Sequence, residues 1–183
     1  RGYPVPFFVF RPKDWEEGNP IDFRLMKTVI PAEMFRRNVC WVCGQSLGRR
    51  KAFIGGPLST AQRTYTDWPT HRECAEFSLK ACPFLAIPNA QRREAQPSAE
   101  HRVIANMLSH NPEVSGLLIA DSYRVLPGAI LHAPEALEIV WYTRGRLATR
   151  EEVETAIKHT SALEQIQNRP DILDRLSLLP IPE

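Results

Sequence analysis

Long apolar runs are missing from this sequence. Nothing in it approaches the roughly 18 consecutive apolar residues that a membrane helix needs, so no helical membrane span is expected. The start also lacks a charged stretch followed by an apolar one, and Gly2-Tyr3-Pro4-Val5-Pro6 is too rigid for a signal peptide. Glycine is scarce, with 9 residues against 16 prolines, which favours short elements joined by stiff connections. There is no glycine-rich phosphate loop, and Ser59, Ser109 and Ser115 sit in no nucleophile-elbow context. Of the five histidines, His101, His110, His132 and His159 have no partner at ligand spacing and read as surface or hydrogen-bonded residues.

What is present is an ordinary soluble composition, 43% hydrophobic and 24% charged over 183 residues. That length suits one domain, or a small metal-stapled domain beside a second small one. Only four cysteines occur, Cys40, Cys43, Cys74 and Cys82. Their spacing is that of metal ligands and not of a disulfide framework, which places the chain by expectation in a reducing cytoplasm.

The informative stretch is Cys40-Trp41-Val42-Cys43-Gly44 and, after the 27 residues that follow Cys43, His71-Arg72-Glu73-Cys74. A Cys-x2-Cys turn ending in glycine lets two thiolates point at one ion while backbone N–H groups hydrogen-bond the sulfurs. His71 and Cys74 are three apart, so a helix starting at Pro69-Thr70 puts both on one face of its first turn. The helix dipole there also favours thiolate. Cys82 lies eight residues beyond Cys74, about 12 Å along a continuous helix, against a Zn–S bond of about 2.3 Å. The ligand set is therefore Cys40, Cys43, His71 and Cys74 around a structural Zn2+, and Cys82 is a small packed hydrophobe. Four protein ligands close the site, which argues against metal catalysis.

A cysteine knuckle, a hairpin-sized insert and two ligands at a helix start resemble the treble-clef zinc finger over about residues 40–82. That class includes His-Asn-His nucleases, whose catalytic His and Asn lie on the hairpin. Residues 44–70 contain neither His nor Asn, so a divergent nuclease is disfavoured, no catalytic residue is assigned, and the reading leans away from an enzyme.

Charge is uneven. Residues 36–93 carry ten Lys/Arg against three acids, +7, leaving −5 for the rest of a chain whose formal charge is +2. Arg49, Arg50, Lys51, Arg63 and Arg72 are thus candidate phosphate contacts, with Trp41, Tyr65 and Trp68 as candidate base-stacking partners. The alternative is that the arginines screen three thiolates plus Zn2+ and the aromatics fill a small core. Arg144, Arg146 and Arg150 form a second cationic group, readable as a ligand-facing cluster or as a Gly turn and helix cap.

The chain in order reads as α+β: a treble-clef-like zinc module plus a small antiparallel sheet with C-terminal helices. Phe7–Phe10 is a buried strand or apolar plug, expected to pair with Ile21–Leu25 as a hairpin. Pro31–Arg37 reads as a short helix. A strand at Ala52–Ile54, a break at Gly55-Gly56-Pro57 and an extended return at Tyr65–Trp68 follow. A helix runs from His71 to about Leu79 and ends at Pro83. The spacing of Val103, Ile104, Met107 and Leu108 predicts a helix over 100–109. Strands follow near 117–119, 123–126, 130–131 and 137–142. Thr149-Arg150-Glu151-Glu152 is a capping box opening a helix with Val153, Ala156, Ile157 and Thr160 on one face. Two further helical segments carry Leu163 and Ile166, then Ile172, Leu173, Leu176 and Leu179. The expected organisation is 1–88, N-terminal hairpin and zinc module; 89–99, linker; and 100–183, sheet and helices.

Gly2-Tyr3-Pro4-Val5-Pro6, Cys40-Trp41-Val42-Cys43-Gly44, Pro69-Thr70-His71-Arg72-Glu73-Cys74-Ala75, Cys82-Pro83-Phe84-Leu85 and Trp141-Tyr142 with Gly145-Arg146-Leu147-Ala148-Thr149-Arg150 together resemble an uncharacterised family of bacteriophage and prophage proteins. The resemblance implies zinc binding and a bacterial cytoplasm and brings no activity. Function is therefore expected to be a non-enzymatic, nucleic-acid-associated module, the alternative being a protein-binding adaptor or inhibitor acting on a host or phage protein. The sequence leaves oligomeric state open.

Overall fold

Residues 115–120 are buried without interruption, a pattern that a strand shows only when both faces of its sheet are covered. This strand is the centre of the fold in the computed structural model, which describes residues 4–23, 25–27, 30–88, 90, 101–103 and 111–183. The elements in order are β1 (Leu25–Lys27), α1 (Ile30–Arg37), β2 (Lys51–Gly55), α2 (Pro57–Gln62), β3 (Thr64–Tyr65), α3 (Arg72–Ala81) and α4 (Pro83–Ala86). After them come β4 (His101–Val103), β5 (Ser115–Ala120), β6 (Arg124–Leu126), β7 (Ile130–His132), β8 (Glu138–Thr143), β9 (Arg146–Leu147), α5 (Arg150–Ser161), α6 (Glu164–Gln167) and α7 (Pro170–Ser177). The result is α+β with small antiparallel sheets: β2-β5-β8-β9, β3-β7-β6 and β1-β4.

Side-chain alternation sorts β5 between two cores. On one face Leu118 and Ala120 meet Phe53, Tyr65, Trp68, Trp41, Met34 and Leu131. On the other, Leu117 and Ile119 meet Ala52, Tyr142 and, from α3, Ala75 and Leu79. At the far end Trp141 packs with Val153, Ala156, Ile172, Leu176 and Leu179, and its indole N–H donates to the Pro180 carbonyl at 2.7 Å. Gly116 sits where these layers meet. A Cβ there would lie 2.6 Å from Thr60 Oγ1 and 3.1 Å from the Trp141 ring, so only glycine lets α2 approach the sheet this closely.

Several expectations are corrected. Within the two segments expected to form the N-terminal hairpin, Phe10 N–H donates to Leu25 O, and Leu25–Lys27 also pairs with His101–Val103. Phe7 and Phe8 pack against the first core, with Val9 buried and Phe8 stacked on Trp41 at 4.5 Å between centroids. Residues 101–103 are strand where helical spacing predicts helix, a tertiary pairing overriding local pattern. The rest of that segment, and the linker apart from Ala90, lie outside the described residues. Directly after the expected break at Gly55-Gly56-Pro57 the chain forms the α2 helix, with Pro57 at its first position as proline does at helix starts.

Strand pairing also crosses the expected division of the chain. Lys51–Gly55 pairs residue for residue with Gly116–Ala120, so the half that carries the cysteine knuckle and the C-terminal half build one sheet. The Asn111 side-chain amide reinforces the join by donating to the Phe84, Leu85 and Ile87 carbonyls at the end of α4.

Candidate metal centre

The knuckle begins with Asn38 at φ +46, which turns the chain out of α1. Val39 bridges Ser46, Cys40 N–H donates to Gln45 O at 2.7 Å, and Leu47 N–H donates to Asn38 O at 2.8 Å. This tight hairpin brings the Cys40 and Cys43 sulfurs together, Cys40 buried and Cys43 at the surface. Gly44 turns at φ +73, and a Cβ on it would come within 2.6 Å of the Phe7 ring, so the N-terminal plug closes over the knuckle.

The second ligand pair is delivered by Pro69-Thr70. Thr70 exchanges both backbone hydrogen bonds with Ala52 of β2, at 2.8 and 2.9 Å, while Trp41 N–H donates to Pro69 O at 3.0 Å. The stretch is thereby locked between strand and knuckle just before α3. His71 is the residue preceding the first turn of that helix, with extended φ and ψ, and Cys74 lies within the turn.

The four ligand atoms lie within 4.8 Å of one another, a group able to hold a metal ion. His71 Nδ1 is 3.4 Å from Cys43 Sγ and 3.9 Å from Cys74 Sγ. Tetrahedral zinc with Zn–S of about 2.3 Å and Zn–N of about 2.1 Å requires an S···N edge of about 3.6 Å. The observed separations bracket it. His71 Nε2 stands 3.0 Å from the Ser46 carbonyl, so a neutral imidazole that donates there leaves the Nδ1 lone pair for the ion.

Thr70, unforeseen from sequence, completes the surroundings. Its buried hydroxyl is 2.8 Å from Cys40 Sγ and can donate to that thiolate. Its position directly before His71 was the only available signal. Burial pushes the Cys40 thiol up, but hydrogen bonds from the Cys43 backbone, the Thr70 hydroxyl and the His71 and Val42 backbone bring it down to about 7. Cys74 is pushed up to about 12 by burial and by the Cys40 and Cys43 sulfurs. Three thiolates this close repel one another, and a divalent cation reverses that penalty.

No family model, curated protein or solved structure matches this chain. Its chemistry is therefore read from its own residues.

Cys82 lies outside the cluster, half-buried at the junction of α3 and α4. Trp41, Tyr65 and Trp68, the candidate base stackers, are core residues at 3–5% exposure. Most of the candidate phosphate contacts are engaged internally. Arg49 pairs with Asp121 at 2.7 Å, and Lys51 Nζ donates to the Gly48, Arg49 and Asp121 carbonyls. Arg72 pairs with Glu138 and, at 3.4 Å, with Glu76. Arg63 donates to the Pro134 carbonyl. Arg50 alone of the five is exposed with no partner among the described residues. In the second cationic group Arg146 grips Glu152 with both terminal nitrogens and Arg150 pairs with Glu154, while Arg144 is exposed in the β8–β9 turn. Among the described residues, no helix is long and apolar enough to cross a membrane.

Proposed function

We propose that this is a structural-zinc protein in which Cys40, Cys43, His71 and Cys74 hold one Zn2+ within a treble-clef-like module. The observation that supports the reading is the convergence of three sulfurs and one imidazole nitrogen within 4.8 Å. Zinc here ties the knuckle, β2 and the start of α3 to one point, and does so beside the sheet shared with the rest of the chain. With four protein ligands the ion has no open position for a water or substrate, so its role is to hold the fold and present a binding surface.

The test is metal content and folding of Cys43→Ser, Cys74→Ser and Cys82→Ser beside the parent. The first two lose zinc and the folded state, while Cys82→Ser retains both. Full zinc in Cys74→Ser would overturn the assignment.

Of the two kinds of partner, the geometry favours a protein, because the cations of the basic segment are largely matched within the molecule. Large apolar side chains are exposed on the same segment, with Phe77 at 45% and Ile87 at 55%, and Phe35 just before it at 65%. Nucleic-acid association keeps the support of the +7 charge of residues 36–93 and of Arg50, which has no partner among the described residues. Titrations with DNA and RNA across a salt series separate the two. Affinity that falls steeply with salt establishes the nucleic-acid reading, and absent or salt-insensitive binding removes it. A bacteriophage or prophage origin is proposed on the resemblance of the sequence motifs.

A further inference from the structure

A cavity of about 390 Å³ opens between the end of α2, strands β7 and β8, and the segment around the C-terminal end of α7. It shares no residue with the Cys40–Cys74 cluster. Its apolar lining comes from Ala61, Ile139 and Leu179, and Leu178 at its edge is 81% exposed. Its polar lining includes Arg63, Arg175 and His132, and none of the lining residues is a carboxylate.

The two arginines differ from most others whose contacts have been described. Arg49, Arg72, Arg146, Arg150 and Arg169 each face a carboxylate. Arg63 gives one N–H to a neutral carbonyl, that of Pro134, and has no carboxylate partner among the described residues, so further donors remain for a ligand. Asp171, one helical turn before Arg175, is held by Arg169 through two hydrogen bonds of 3.1 Å. Arg175 feels the Asp171 charge across that turn, but no carboxylate is hydrogen-bonded to it among the described residues, so its N–H donors stay available. His132 adds a third polar group, and its cross-strand neighbour Arg124 projects from the same face of the sheet.

From this juxtaposition we infer that the cavity binds a small amphipathic carboxylate. The apolar body would lie on Ile139 and Leu179, and the carboxylate would meet the Arg63 and Arg175 guanidinium groups. The volume suits a ligand of that size, and pockets of this kind combine an apolar lining with a few convergent polar groups. Arginine suits the head group because its planar fork matches a carboxylate with two parallel hydrogen bonds.

Ligand-detected NMR on the full zinc-loaded chain tests this with naphthalene-2-carboxylate and the uncharged naphthalene-2-carboxamide as probes. The carboxylate binds at least about tenfold more tightly than the amide, the margin expected of a charge-assisted hydrogen-bond pair. Arg175→Gln, an exposed position, lowers carboxylate affinity about tenfold with little effect on the amide, and Arg63→Gln moves it the same way. Arg50→Gln, at an exposed arginine outside the cavity, leaves both unchanged. Equal affinity for the two probes, an Arg175→Gln protein that binds as the parent does, or no binding at millimolar probe would each overturn the inference.

Discussion

Replacing Thr70 by valine removes one hydroxyl and keeps the β-branched shape, which isolates a single contact of the metal centre. The hydroxyl lies 2.8 Å from Cys40 Sγ, and Thr70 is only 4% exposed, so solvent does not readily replace the lost donor. The backbone bonds to Ala52 at 2.8 and 2.9 Å do not involve the side chain and persist. A hydrogen bond to a charged acceptor contributes about 1.5–3 kcal/mol, and loss of such an outer partner typically weakens metal binding about 10–100-fold. Zinc affinity of Thr70→Val should fall within that range while the fold persists. Competition against a chromophoric chelator near about pH 7 measures the affinity, and circular dichroism of the zinc-loaded protein monitors the fold. The sign of the pH effect follows from the thiol. Cys40 sits at about 7 partly because the hydroxyl favours its thiolate, so removing the hydroxyl raises its pKa. Protons then compete better with zinc, and the gap between variant and parent widens as pH falls from about 8 to about 6. Affinity within about twofold of the parent, with the fold intact, would refute the claim that this hydroxyl supports the thiolate.

Other positions give independent checks. Leu118→Ala empties a fully buried site in the first core and should cost about 2–5 kcal/mol in urea unfolding of the zinc-loaded protein. Gly116→Ala brings a methyl group within 2.6 Å of Thr60 Oγ1 and should cost about 1–3 kcal/mol in the same assay, whereas a surface glycine such as Gly48, with open space around it, tolerates alanine. Thr149→Ala removes the cap of α5, where both halves of the capping box are present, and should lower stability by about 1 kcal/mol. The Glu152 carboxyl of that box is held down to about 2 by the Arg146 guanidinium and the Thr149 backbone N–H. Its contribution is therefore fully present above its ordinary value of about 4.5 and is lost as pH falls through about 2. Glu152→Gln removes that titrating half of the box, so the stability gap between it and the parent should narrow as pH falls below about 4.5, and a gap that stays constant over that range would contradict the role of the Glu152 charge.

The sequence by itself determined the features that depend on a few neighbouring residues. Cys-x2-Cys-Gly specifies a knuckle because two thiolates need a tight turn. The His71/Cys74 spacing works because three residues bring side chains onto one helical face. The box at Thr149 and Glu152 is likewise local, and so are the short apolar runs, bounded by turn signals, that mark β5 and β8. All of these appear where the spacing places them. Tertiary structure decided what depends on distant partners. The pairing of Leu25–Lys27 with His101–Val103, the stacking of Phe8 on Trp41 and the close approach of Phe7 to Gly44 all join residues far apart in the chain. The candidate phosphate contacts could not be weighed from charge alone, because Asp121 and Glu138, which neutralise Arg49 and Arg72, are more than sixty residues away. The same long-range packing gathered Arg63, His132 and Arg175 around one cavity without a carboxylate. Local spacing fixes a ligand set because a metal site is only a few ångströms wide, whereas the net charge of a surface is settled only when the whole chain has folded around it.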